Sequence, residues 1–558
     1  MRIAITGIGI ISALGYGKDV SKEKLLAGES GIRAPHILET VHKEWPVGEV
    51  PLTTEKLREL CQLKSDSPLP RNVLLAIPAV GEALEDSGLS EEQIRETVLI
   101  NGTTVGGMDV TENEVGKWLQ GDTATLHKIL FHEAGVTGYM LGHTFGEKLG
   151  TETISTACSS ALNAIMYGAD LLRTGAVKRA LVGGTEALTR FHLNGFGSLG
   201  ILSEQICKPF QPDRDGINLG EGAAYLVLET EEEALARGAR IYGYVSGYGN
   251  RCDAFHQTAS SPEGEGAYLA MQEALRMSGL KPTDIQYINA HGTATQNNDA
   301  SESKAIERLF GTPFEGERWQ EPRSTKNLTG HTTSASGAIE AIFSLMLMQE
   351  RGYKHVMTNA FGFGGNDSSL ILSAEPTDIP EPKKDGKAEK YPEMSVDQDV
   401  DTKPFLSPME ARRMNRQMRR LVVAAKRALA DAGIDCPDAI VVGTRWGGMQ
   451  STMELLKSMV ENGEKDFSPT SFMQSTHNTP ASTLARLLGC HGYNVTLSNG
   501  TKSFEQAYGH ALVQLSVSGI RNVLVCGYDE EVPEWQQWLE KVEDSSPAMA
   551  KAFVIKKE

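Results

Sequence analysis

Along the first 375 residues, short apolar runs alternate with stretches of helical length. RALVGG (179–184) and AAYLVLE (223–229) read as buried strands, whereas RNVLLAIPAVGEALEDSG (71–88) has apolar residues at helical spacing and stops at a glycine. This alternation predicts an α/β fold with helices covering a sheet. The opening MRIAITGIGIISALG imitates a signal peptide, with Arg2 ahead of an apolar run, but Gly7, Gly9 and Gly15 suit a buried strand entering a turn. The pattern breaks at PTDIPEPKKDGKAEKYPE (376–393), where four prolines, many charges and almost no apolar residue predict a linker.

The pattern then repeats. RRLVVAAKRALADAG (419–433) echoes the helix at 71–88, VVGTRWGGM (441–449) echoes INGTTVGGM (100–108), and RNVLVCGYDEE (521–531) echoes KRALVGGTEAL (178–188). The three matches come in the same order at nearly constant spacing, too long for a solenoid, so they mark a duplicated half-domain. The chain divides into a first half at 1–240, a second half at 241–375, the linker 376–393, and a second copy of the first half at 394–558.

Composition narrows the chemistry. A chain of 558 residues with 40% apolar and 23% charged side chains buries real cores. Its 54 basic against 72 acidic residues give a net charge of −18 with no basic run, which argues against nucleic acid. Seven scattered cysteines, never spaced as CxxC, argue against disulfides or a zinc ribbon and predict a reducing, cytoplasmic setting. No apolar stretch reaches the ~18 residues of a membrane span. HEAGV (132–136) lacks the second histidine of a zinc-protease motif, so no metal is expected.

Four segments carry candidate chemistry. In ETISTACSSALNAIMYGADLLRTG (152–175), a β-favouring run gives way to a helix at Cys158. Unpaired N–H groups and the helix dipole there are expected to lower the thiol pKa. A cysteine among Ala and Ser reads equally as a core thiol. His291, in YINAHGTATQ, follows a short strand; alone, such a histidine is more often structural. STKNLTGHTTSASGAIEAIFSLM (324–346) places Lys326 and His331 on a loop that leads into an apolar helix containing Glu340. NAFGFGGNDSSLIL (359–372) is a glycine-rich turn with Phe361 and Phe363, lacking the lysine of a phosphate-binding loop.

Together TACSSA, NAHGTAT, KNLTGH and NAFGFGGND, in this order, resemble the elongating β-ketoacyl-acyl-carrier-protein synthases over about residues 1–375, and KPFQPDRDGINLGEGAA (208–224) matches a further family segment. The resemblance implies a thiolase-like layered α/β/α/β/α fold of two halves, here followed by a third, N-terminal-type half. It implies Cys158 as nucleophile, the backbone N–H groups of Cys158 and Phe363 as oxyanion hole, His291 and His331 as decarboxylation catalysts donating through Nε2, Lys326 and Glu340 as their support, and Phe363 as gate. Val105 would line the acyl channel. The implied partner is an acyl- or malonyl-loaded carrier protein, with no cofactor.

The second copy puts Thr501 where the first has Cys158, and nothing after 376 matches NAHGTAT, KNLTGH or the FGFGG turn, so it is expected to be catalytically dead. Synthases of this family pair their N-terminal halves. A tethered copy would therefore form an intrachain pseudo-dimer and act as a chain-length factor, as in the ketosynthase pairs of aryl polyene and flexirubin-type pathways. Trp446 replaces Val105 at the matching position, and Phe472 and Met473 are candidates for the tunnel floor. The pseudo-dimer implies a monomer, with a homodimer left open. Three alternatives stand beside this reading: housekeeping fatty-acid elongation with a purely structural repeat, a non-catalytic carrier-binding partner, and a degradative thiolase, which would need a second catalytic cysteine at the NAFGFGGND turn.

Overall fold

The strand that leads into Cys158, Thr151–Ile154, would be a sheet edge if the first half stood alone. In the computed structural model, which describes residues 1–146, 150–311, 313–314, 323–382, 387–397 and 399–557, that edge is covered. The second copy lays Tyr493–Leu497 antiparallel against it, pairing Leu497 with Ile154, and Ser155 N and Ser498 N donate across the join at 2.9 Å each. The join satisfies backbone groups that a free edge leaves open to unwanted pairing.

Among the described residues, hydrogen bonding links 16 strands into one sheet. Across it run Ala388–Lys390, Met549–Lys557, Asn522–Asp529, Ala439–Gly443 and Tyr493–Leu497 of the repeat. Next come Thr151–Ile154, Val98–Gly102, Arg179–Glu186, Gly222–Thr230 and Ile3–Ser12 of the first half. The second half closes the series with Gly243–Cys252, Asn366–Ser373, His355–Gly362 and Tyr287–Asn289. The repeat thus reads in the reverse order of the first half about the join, which is the signature of a local two-fold axis. Between the halves, Ile3–Ser12 and Gly243–Cys252 pair only over Ile3–Ile5, so the two parts of the sheet splay apart beyond it.

Helices fill the splay. Ser160–Thr174 and Ser336–Arg351 are buried over nearly their whole length and pack in the main core together with Ser503–Val517 of the repeat. Gly337 makes this possible, because a Cβ there would meet Leu162 Cβ at 2.8 Å. Helices with one apolar face, Arg71–Ser87, Glu265–Ser278 and Arg416–Asp431, cover the outer surfaces. The layered α/β architecture expected from the sequence is the one observed.

The stretch 376–393 departs from the linker reading. Ile379 is buried and exchanges backbone bonds with Met1, and Ala388–Lys390 pairs with Lys557–Ile555 as an edge strand. Its described charged side chains are exposed while the backbone of Ala388–Lys390 pairs with the sheet, which is why its composition hides it.

A buried polar knot holds the three parts together. Asp170 of the first half accepts from Arg173 at 2.8 Å, from Tyr248 of the second half at 2.5 Å and from Gln514 of the repeat at 2.8 Å. Asp170→Ala leaves the Arg173 charge buried without its partner, which costs about 3–5 kcal/mol. A clearly lowered midpoint in thermal denaturation is the expected result.

Candidate active site

Cys158 sits in a tight turn, Ala157–Ser159, between the strand and the helix Ser160–Thr174. Ala157 takes a left-handed φ of 53°, a strained conformation for a residue with a Cβ. Side-chain bonds hold the turn: Ser160 Oγ accepts from Thr156 N and donates to Ala157 O, and Ser159 Oγ donates to Asn366 Oδ1 at 2.6 Å. Asn366 also accepts from Asn163 at 2.8 Å and donates to the Asn494 carbonyl of the repeat.

The three loops predicted to carry chemistry converge on this turn. His331 Nε2 lies 2.9 Å from Cys158 Sγ, and the His291 and His331 rings stand edge to face with centroids 5.3 Å apart. Lys326 Nζ is 3.4 Å from His291 Nδ1 and 2.5 Å from Glu340 Oε1, and both charged side chains are buried. The ammonium donates to His291 Nδ1, so that ring carries its proton on Nε2. Ligand atoms of Cys158, His291 and His331 lie within 4.8 Å of one another.

Burial governs the electrostatics. It holds both histidines well below their ordinary pKa, with the Lys326 charge adding to the effect, so both rings are neutral. Burial pushes Glu340 up to about 7 against the pull of Lys326. The Cys158 thiol moves opposite to the sequence expectation: burial pushes it up to about 11, and Lys326 and the backbone N–H groups of Phe363 and Cys158 only partly draw it back. A helix start lowers a thiol pKa only where the sulfur keeps some contact with water, and Cys158 is 5% exposed. The same two N–H groups are those expected to form an oxyanion hole, and they converge on the sulfur.

Cys158, Phe196 and Phe363 separate two cavities, an outer chamber of about 400 Å³ that also reaches His291 and His331, and an inner one of about 50 Å³. The Phe196 and Phe363 rings stack at 5.5 Å. The inner cavity is lined from both sides of the pseudo-dimer, by Val105 of the first half and by Trp446 and Phe472 of the repeat. Gly195 admits the Phe472 ring, since a Cβ there would fall 2.2 Å from it. Met473, the other candidate for the floor, does not line the cavity; it follows Phe472 on the helix Pro469–Ser475 and so points about 100° away.

Two supporting residues escaped the sequence reading. Glu302 accepts from His291 N and Gly292 N, at 2.9 Å each, and fixes that loop. Asn366 ties the Cys158 turn to the repeat. The signal for Glu302 is its spacing from Asp299, which puts two acids on the buried face of the helix Gln296–Phe310.

Comparison with known proteins places this arrangement in a family. Residues 1–234 match the N-terminal domain of beta-ketoacyl synthase and 242–357 the C-terminal domain. A second N-terminal-domain model matches 386–558. A 3-oxoacyl-[acyl-carrier-protein] synthase 2 of Staphylococcus aureus (strain MRSA252) is 33% identical over 414 residues, covering 67% of this chain and 98% of that protein. Among solved structures, the ishigamide ketosynthase/chain length factor is 30% identical with a TM-score of 0.62, over 67% of this chain and 99% of that one. The PfaC Keto synthase-Chain length factor shares the fold of the whole chain, with a TM-score of 0.81 at 15% identity, covering 100% of this chain and 78% of its own. The chain belongs to the beta-ketoacyl synthase family. Among the described residues no helix is long and apolar enough to cross a membrane.

A thiol raised to about 11 is protonated at neutral pH. Alkylation of Cys158 by iodoacetamide, followed by mass spectrometry, is therefore expected to accelerate steadily from pH 6 to pH 9; a plateau reached by pH 7 would mean a resting thiolate.

Proposed function

We propose that this chain is a condensing acyltransferase that extends a carrier-bound acyl chain by two carbons, with the repeat acting as a built-in chain-length factor. The observation that carries this reading is Cys158 Sγ at 2.9 Å from His331 Nε2, at the mouth of a cavity whose far wall comes from the repeat. The Cys158 thiol attacks the acyl thioester of a carrier protein, and the proton it gives up ends on the departing carrier thiol. The backbone N–H groups of Cys158 and Phe363 receive the tetrahedral oxyanion. Malonyl-carrier protein then enters the outer chamber, and cleavage of its C–CO2⁻ bond releases CO2. The enolate oxygen that results accepts hydrogen bonds from His291 and His331. Its carbon attacks the Cys158 thioester, the new C–C bond forms, and the sulfur leaves as a thiolate that takes up a proton from solvent.

Neutral imidazoles suit this step, since they donate to a developing oxyanion without first losing a proton at neutral pH. Lys326 positions His291 through Nδ1, and Glu340 balances the buried ammonium. The repeat holds the nucleophile turn through Asn494 and Asn366 and closes the inner cavity with Trp446 and Phe472. It also presents exposed arginines, Arg412 and Arg413, the latter's carbonyl bonded by Gln474 from the helix that bears Phe472. Exposed arginines of this kind suit contact with an acidic carrier protein.

Cys158→Ala is expected to abolish acyl transfer to the protein, read by intact mass after incubation with acyl-carrier protein; continued elongation by this variant would overturn the assignment. His291→Ala should slow malonyl decarboxylation at least a hundredfold while sparing self-acylation, and equal loss of both would reject the division of labour. Phe472→Ala should lengthen the products seen by chromatography, whereas Met473→Ala should leave them unchanged.

A further inference from the structure

Besides His291 and His331, the imidazoles of His132, His192 and His477 line the inner cavity that reaches Cys158, and the reaction above gives them no task. His132 and His192 both line the inner cavity, and each is less than one-tenth exposed. His132 Nδ1 lies 3.0 Å from Thr111 Oγ1, whose own proton is directed to the Gly107 carbonyl. The ring therefore donates through Nδ1 and offers an Nε2 lone pair that meets no partner among the described residues. His192 makes no ring hydrogen bond among the described residues; its surroundings are the Phe196 and Phe472 rings. Burial holds His132 down at about 3 and His192 at about 4, so both are neutral acceptors as well as donors.

The facing wall supplies a donor. Trp446 lines the same cavity, is 3% exposed, and its Nε1–H has no hydrogen-bond partner among the described residues. The indole is held in place by the Arg445 guanidinium at 4.5 Å, by Trp535 at 5.3 Å and by His132 at 6.1 Å between centroids. No carboxylate, ammonium or guanidinium lines the cavity among the described residues, so the wall favours neither charge.

A pure hydrocarbon filling such a cavity would strand these groups without water, and unsatisfied buried donors and acceptors are costly. A group that both accepts from an indole N–H and donates to an imidazole satisfies them. We propose that the inner cavity receives an acyl chain whose distal end carries a hydroxyl, or an equivalent neutral group able to donate and accept a hydrogen bond. This rests on the condensing function proposed above, with Cys158 holding the other end of the chain, and names its substrate class.

The test compares carrier-bound primers of matched length, six to twelve carbons, with and without a terminal hydroxyl, by the rate of Cys158 acylation in the full chain. At the length best accepted, the ω-hydroxyacyl primer is expected to react at least tenfold faster than the plain acyl one. Trp446→Phe keeps the ring and removes the N–H, and should lower that ratio at least threefold. A wild-type ratio under tenfold, or a ratio unmoved in Trp446→Phe, overturns the proposal while leaving the condensing function standing. Failure of both primer series to acylate Cys158 overturns the condensing function, and this inference with it.

Discussion

The structure depends on covering one sheet edge. Thr151–Ile154 leads into the Cys158 turn, and its open side would expose backbone groups a few residues from Cys158. Tyr493–Leu497 of the repeat closes it, and the consequences spread from that join. The helix Ser503–Val517 enters the main core, Asn494 reaches Asn366 beside the Cys158 turn, and Trp446 and Phe472 arrive at the inner cavity. The second copy carries Thr501 at the position of the cysteine, yet it supplies an edge, a core helix and a wall.

The fold was legible because it rests on periodicity. Alternating strands and helices predict α/β layering, and the matched segments at 100–108 and 441–449 predict that one part of the architecture occurs twice. The candidate site was legible for another reason: Cys158, His291 and the Lys326–His331 pair sit in short segments of small residues and glycines, and only such segments let three loops crowd one point. Residues that act through the backbone left weaker traces. Glu302 is one acid on a helix, and its bonds to His291 N and Gly292 N appear only once the loop is folded over it. The edge strand Ala388–Lys390 is wholly exposed in side chain, so hydropathy cannot see it. Met473 illustrates the limit of segment-level reading: a tunnel segment can be identified, but one residue's step along a helix decides which side chain faces the tunnel.

The sulfur was misjudged for a physical reason. A strand-to-helix turn does offer N–H groups, and two of them do aim at Cys158, but a fully buried anion loses more to desolvation than they return. The proposed nucleophile therefore rests as a neutral thiol beside a neutral imidazole rather than as a standing thiolate. A resting neutral pair suits an enzyme whose chamber must stay inert until an acyl group arrives.

Val105 and Trp446 come from equivalent places in the two copies and meet in one cavity, yet one is small and the other large. In an assembly of two identical subunits, every change on one side of a shared channel would appear on the other as well. Here the opposing walls are written in separate stretches of a single chain, so each side can drift without dragging its counterpart along. Covalent tethering thus frees the channel from symmetry, and its two faces can be shaped independently to one asymmetric guest.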